Sequence, residues 1–538
     1  MSIRYPGVLS VTRRAFLMST AAVAAVVALP GLSFAQAEPV NGGSVTINIG
    51  TEPPVLVLIA HTAGAAYYTS SKTNESLLTY DEDFTPQPLL ATEWKVADDG
   101  LRYWFKLREG VKWHDGTDFT AEDVAFSILA LKEHHPRGRA TFASVNAVNV
   151  LGTHEVELLL TKPAPFLLTA FASFEAPIVP KHLYEGTAIP ENPHNYAPIG
   201  TGPFVFQEWV RGSHVIYTRN ENYWDQGKPH LDQLIIRFIT DPAAAVAAIE
   251  AGEVQVSVAN LPLTDIDRLK ANPNLVVDTK AAPYSPSIAR AEFNLENPYL
   301  ADIKVRHAIA HAIDKDFIVN TIYLGYATRL DGPVSAELAR FFNDDVTKYD
   351  FDPAKADALL DEAGYPRGAD GFRFKLFIDP TQPSGPPKQT AEYFVQALAK
   401  VGIQVELRTQ DFATFVKRIF TDRDFDIAIE GMSNLYDPTV GVQRLYWSKN
   451  FKVGLPFSNG SKYENPEVDR LLEAAAVEID PAKRVTLFND FQRLVVDDLP
   501  TLDIVTPASI TVYDKRVHNL KLGAEHLWRN GADFFIEA

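Results

Sequence analysis

Tyr103, Phe105 and Leu107 alternate with Trp104, Lys106 and Arg108, the period-two pattern of a strand with one buried face. Asp115-Gly116 follows as a tight-turn pair, because glycine tolerates the positive φ such turns require. Thr120 is then a helix N-cap, with Glu122 and Asp123 in the first turn where the helix dipole favours anions. Val124, Ile128 and Leu131 continue at helical spacing. Strand, turn, short strand and capped helix are therefore expected over 98–131.

The same reading extends along the chain. Alternation predicts strands over 45–49, 155–160, 204–208, 234–239, 254–258, 289–295, 372–378, 403–407 and 425–429. Helical spacing predicts helices over 67–78, 305–323, 392–401, 412–420, 466–477 and 481–496. Pro242 and Gly252 bracket an alanine-rich helix between two of the strands. Strand, helix and strand in about 25 residues imply a parallel βαβ unit, and 372–407 repeats the pattern. The run 502–506 is apolar and is expected to cross back to the first half of the fold.

At 538 residues the chain is too long for one core. Its formal charge of −18 argues against nucleic acid, whose phosphates need a basic footprint. The absence of cysteine excludes disulfides, thiolate nucleophiles and iron–sulfur ligation. Thr12-Arg13-Arg14-Ala15-Phe16-Leu17, the short apolar run 21–29 and a small-residue cleavage site at 33–35 or 35–37 have the form of a twin-arginine signal peptide over 1–37. No cysteine stands there to carry a lipid. Export to the periplasm is expected.

Little catalytic chemistry is visible. Gly200-Thr201-Gly202-Pro203 lacks the lysine and third glycine of a phosphate loop. Among the 13 histidines, His134-His135 is the one adjacent pair and His307/His311 the one i, i+4 pair, without the glutamate of a zinc-protease motif. No metal, no cofactor and no enzymatic activity are expected.

The string Leu107-Arg108-Glu109-Gly110-Val111-Lys112-Trp113-His114-Asp115-Gly116, followed by Thr120-Ala121-Glu122-Asp123-Val124, resembles the signature of family 5 bacterial extracellular solute-binding proteins. These are the dipeptide, oligopeptide and nickel-chelate binding components of ABC importers. The resemblance implies an α/β fold, a two-lobed periplasmic binding protein (clamshell) with an inserted α+β subdomain in the first lobe. The first lobe would comprise 38–80, 200–288 and 504–538, the insertion 81–199 and the second lobe 289–503, with hinge crossings near 285–292 and 500–507. The implied role is capture of a small peptide or peptide-like ligand by a monomer that delivers it to ABC permease transmembrane subunits.

The resemblance also suggests ligand contacts. Tyr67 matches a position that often faces ligand, or packs the start of its helix. Gly431, Met432 and Ser433 match residues whose backbone pairs with a bound peptide. The aspartate that anchors a peptide ammonium in relatives has no clean match: Asn434 or Leu435 falls there, in a loop one residue shorter. Tyr436 lies in the same loop, and Asp437 belongs to the following Asp-Pro, a structural pairing. Phe412 matches a pocket-lining aromatic. Arg418 falls where relatives hold an acidic ligand group, or pairs with Asp422 at i+4. Tyr446 and Trp447 stack on ligand or pack in the core. An unpaired buried ammonium is costly, so the missing aspartate keeps opine-like conjugates and metal chelates open beside peptides. A sensor subunit on the same fold and a twin-arginine-exported enzyme are the rival roles.

Overall fold

The computed structural model describes residues 38–259, 261–280 and 282–538; the twin-arginine motif and both cleavage positions lie outside them. Its first sheet has seven strands in the spatial order Leu275–Asp278, Thr511–Asp514, Val256–Ser257, Ser44–Asn48, Gln233–Arg237, His214–Arg219 and Phe204–Val210. The expected βαβ unit is present. Gln233–Arg237 and Val256–Ser257 both run parallel to Ser44–Asn48, which lies between them, and the helix Pro242–Glu250 joins them.

The second sheet has six strands, ordered Ala327–Arg329, Thr501–Pro507, Ser287–Phe293, Ile427–Ser433, Phe374–Pro380 and Ile403–Leu407. Phe374–Pro380 pairs in parallel with Ile403–Leu407 across the helix Gly385–Lys400, as the repeat of the pattern predicts. A four-stranded antiparallel sheet, Ala91–Val96, Arg102–Leu107, Glu155–Leu160 and Val145–Gly152, packs with the helix Ala121–His134 as the inserted unit. Thr120 caps that helix, its backbone N–H donating to the Asp123 carboxylate at 2.9 Å. Among the described residues no helix is long and apolar enough to cross a membrane.

Several boundaries differ from the sequence expectation. The helix begun at Tyr67 ends at Thr73, and Leu78 starts a short strand. Asn74, next after the helix, donates from its side chain to the carbonyl of Ile178 at 3.2 Å, a long-range bond that local pattern does not report. The single helix expected over 305–323 is broken into Ile303–Ala312, Lys315–Phe317 and a π-turn Ile318–Ile322. Asp314 breaks it by accepting the Phe317 N–H, a new N-cap. The helix Gly385–Lys400 starts well before residue 392, since Pro386 and Pro387 occupy a first turn that needs no N–H donors.

The crossings also move. Ser287–Phe293 and Thr501–Pro507 both lie wholly in the six-stranded sheet. The chain therefore passes between the two large sheets within 279–286, which overlaps the expected 285–292, and at 508–510, just beyond the expected 500–507.

Gly200 and Gly202 serve close approach. A Cβ on Gly200 would meet the Thr73 carbonyl oxygen at 1.8 Å, and one on Gly202 the Lys72 carbonyl oxygen at 2.7 Å. The neighbouring Glu75 carboxylate is buried and accepts from Thr201, Tyr223, Trp224 and Asn530 at 2.7–3.1 Å. This network ties the start of the first lobe to its returning strand and to the C-terminal segment.

Candidate ligand-binding site

Ile427–Ser433 is an interior strand, but its two edges are used unequally. On one side it pairs with Ser287–Phe293 along its whole length, Ser287 opposite Ser433. On the other, Phe374–Pro380 pairs only as far as Ile429, whose carbonyl accepts the Thr381 N–H and hydroxyl. Residues 430–433 have no strand on that side among the described residues. Gly431 is exposed although it lies in the middle of the sheet, so open space adjoins it. A Cβ there would meet nothing nearer than 3.7 Å. A free backbone edge of this kind accepts an extended chain as an added strand.

Beyond the end of this strand, aromatic side chains from both lobes meet. Tyr67 packs on Phe174 with ring centroids 5.0 Å apart and on Trp528 at 5.4 Å. Phe174 meets Tyr284 edge-on at 4.9 Å, and Tyr284 meets Tyr436 at 4.9 Å. The Tyr436 hydroxyl lies 3.5 Å from Thr141 of the inserted unit. Leu435, Tyr436 and Val440 of the second lobe thus share one hydrophobic cluster with Tyr67 and the insertion. The lobes are in contact here.

Three arginines set the electrostatics. Arg137 stands over the Tyr67 ring and is paired through two nitrogens with buried Glu175. Arg290 is fully buried, 2.8 Å from Glu430 across the strand pair and 3.4 Å from Glu292. Burial, then the neighbouring Glu292 carboxylate, holds the Glu430 pKa above its ordinary value. Arg444 has no carboxylate partner within 4 Å among the described residues. Its donors reach only the carbonyls of Gly441, Phe457 and Ser433. Burial, then the Arg290 and Arg137 cations, lower its pKa to about 10.

The remaining expected contacts are engaged elsewhere. Asp437 is fully buried, paired with Arg484 at 2.6 and 2.7 Å, and its side chain caps Pro438–Gly441. Asn434 accepts from the Ser335 N–H at 2.7 Å and donates to the Pro333 carbonyl at 2.9 Å, so its amide is used in tying two loops together. The Tyr446 hydroxyl meets Thr501 at 2.9 Å inside the second-lobe core. Trp447 donates to Glu473 at 2.9 Å. Arg418 pairs with Asp379 at 3.0 Å, not with Asp422, which Lys417 holds. Phe412 is 54% exposed and stacks on Phe457. Of the candidates, Tyr67 and Tyr436 lie in the cluster the two lobes share and are both buried, Met432 is buried in the second-lobe core, and Gly431 and Ser433 stand on the free edge.

Arg137, Phe174, Glu175, Tyr284, Arg444 and Trp528 escaped sequence reasoning. Of these, Arg444 alone lies in sequence among the expected contacts, between Asp437 and Tyr446. His307 and His311 bond to the carbonyls of Asp497 and Asp350 and pack on Tyr349.

Residues 85–453 match the model for bacterial extracellular solute-binding proteins, family 5, middle region. The chain is 29% identical over 500 residues to the heme-binding protein A of Haemophilus influenzae, covering 87% of each chain. It is 30% identical over 451 residues to the dipeptide-binding protein of Escherichia coli, covering 79% of this chain and 81% of the other. The structure of the oligopeptide-binding protein AppA from Bacillus subtilis, in complex with a nonapeptide, superposes with a TM-score of 0.79 at 26% identity, covering 93% of this chain and 100% of that one. A free strand edge between two α/β lobes, the signature at 107–124 and these matches agree: the chain belongs to family 5 of the bacterial extracellular solute-binding proteins.

Proposed function

We propose that this protein captures short peptides between its lobes and hands them to the transmembrane subunits of an ABC importer. The observation that carries this reading is the free edge at residues 430–433, facing open space at Gly431. Backbone pairing along such an edge is indifferent to side chains, so it suits a ligand class defined by its amide backbone. The relative named for dipeptides and the structural neighbour holding a nonapeptide support the same class. Tyr67 and Tyr436 would close the ligand in from either lobe. Closure would be favoured by contacts made to both lobes at once. The twin-arginine motif at 12–17 would send the protein, as a monomer, to the periplasm.

Native mass spectrometry of protein purified without refolding tests the reading. Co-purified short peptides, or peptides taken from a mixed library running from dipeptides to nonapeptides, the lengths named for the two relatives, are the expected result. A tightly held non-peptide solute together with rejection of every library peptide would replace peptides by an opine-like conjugate or a chelate. A bound redox cofactor would favour the exported-enzyme alternative.

A further inference from the structure

Arg444 occupies an unusual place. It is surrounded by protein, keeps part of its surface open, and has only neutral carbonyl oxygens as partners. The other two arginines in the region differ. Arg137 is neutralised by Glu175, and Arg290 lies between Glu292 and Glu430. Among the described residues Arg444 is therefore a cation with no carboxylate within ion-pair distance, the Glu430 carboxylate acting on it only from farther off, alongside the Arg290 and Arg137 cations.

Its position along the edge is defined. One terminal nitrogen is 3.5 Å from the carbonyl of Ser433, the last residue of the free edge. Just beyond, the next carboxylate in sequence is Asp437, and Arg484 and the N-terminus of its own helix consume it, while Glu430 on the edge itself is buried against Arg290. An ammonium brought to this end of the edge would find a cation and no free anion. A carboxylate would find a planar guanidinium with donors whose present partners are uncharged carbonyls.

We propose that Arg444 binds a carboxylate of the captured ligand at the Ser433 end of the edge, so that the protein selects acids rather than free amines at that end. This rests on the peptide reading. For a peptide it means a free C-terminus seated at Arg444, and no requirement for a free N-terminus there. The guanidinium compensates the charge of the ligand, and the ligand completes the pairing that the fold leaves open.

The test compares a short-peptide library with its C-terminally amidated and its N-acetylated counterparts by isothermal titration, on the wild type, Arg444→Gln and Arg444→Lys. Circular dichroism and thermal melting establish that each variant is folded. In the wild type, amidation is expected to weaken binding on the order of 10- to 100-fold, as loss of a charged hydrogen bond does, and acetylation to leave it unchanged. Arg444→Gln should bind acids and amides alike. Arg444→Lys should keep the preference in reduced form, and it carries the test if the glutamine variant does not fold. Equal wild-type binding of acid and amide, or a preference that survives in Arg444→Gln, overturns the proposal while the peptide reading stands. If no peptide binds, the peptide reading has failed. The carboxylate site is then decided with amino-acid–sugar conjugates and their methyl esters. Preference for the acid, abolished in Arg444→Gln, supports it, and indifference or no binding overturns it.

Discussion

Single residues in this protein divide by whether the fold has already satisfied them. Asp437 is the clearest case, because two readings of it make opposite predictions. Buried against Arg484, it is a structural carboxylate, and removing one partner of such a pair costs about 3–5 kcal/mol. Asp437→Asn should therefore lower the urea midpoint sharply, while the folded fraction binds ligand as the wild type does. Loss of affinity at unchanged stability would instead make it a ligand anchor. Glu430 carries a pH signature. Burial and the adjacent Glu292 carboxylate raise its pKa, so the folded state keeps a proton that the unfolded chain releases. The stability from this group is complete below its ordinary value of 4.5 and drains as pH rises towards its folded pKa. Melting curves of the wild type and Glu430→Gln should diverge accordingly, the wild type losing more between mildly acidic and neutral pH. Parallel curves would mean that Glu430 is ionised in the folded protein.

Elements were legible where their signals are local. The N-cap at Thr120, the Asp-Gly turn and the two βαβ units follow from neighbours in sequence, and so do the Asp-Pro starts at Pro242, Pro438 and Pro481. Where a long-range bond ends an element, as at Asn74, local pattern overran it. The strand Ile427–Ser433 makes a prediction at this scale. Gly431 has room for a side chain, since its nearest obstacle is 3.7 Å from an ideal Cβ position, and the proposed ligand edge occupies that room. Gly431→Leu should melt within about 0.5–1 kcal/mol of the wild type yet lose peptide binding in titration. Retained affinity would move the ligand off this edge. Gly200→Ala is its counterpart: a Cβ 1.8 Å from the Thr73 carbonyl oxygen forces the returning strand away, so the variant should be strongly destabilised or fail to accumulate as folded protein.

At the scale of the whole molecule, the proposed function has the two lobes closing over that edge. Tyr436 is the second-lobe residue that reaches both Tyr284 and Thr141, so it stabilises the contacted arrangement. Tyr436→Ala should raise the dissociation rate about tenfold with a smaller change in association, measured by stopped flow. It should also give a larger radius of gyration in small-angle scattering of the liganded protein. An unchanged dissociation rate would leave Tyr436 as packing alone.

By itself the sequence determined most of the strands and helices, because periodicity, capping and turn chemistry act between near neighbours, and the signature string at 107–124 carried the resemblance to the family and, with it, the class of fold. The sequence also placed Gly431 and Ser433 at a strand end. It did not separate Asp437, Asn434, Tyr446 and Arg418 from ligand contacts, since each meets its partner across a large stretch of chain: Arg484, Ser335, Thr501 and Asp379. Nor did it mark Arg444, whose distinction is that no carboxylate among the described residues lies within ion-pair distance of it. Whether a charged side chain is paired or left open depends on which distant residues the fold brings within reach, and only the tertiary structure decided that.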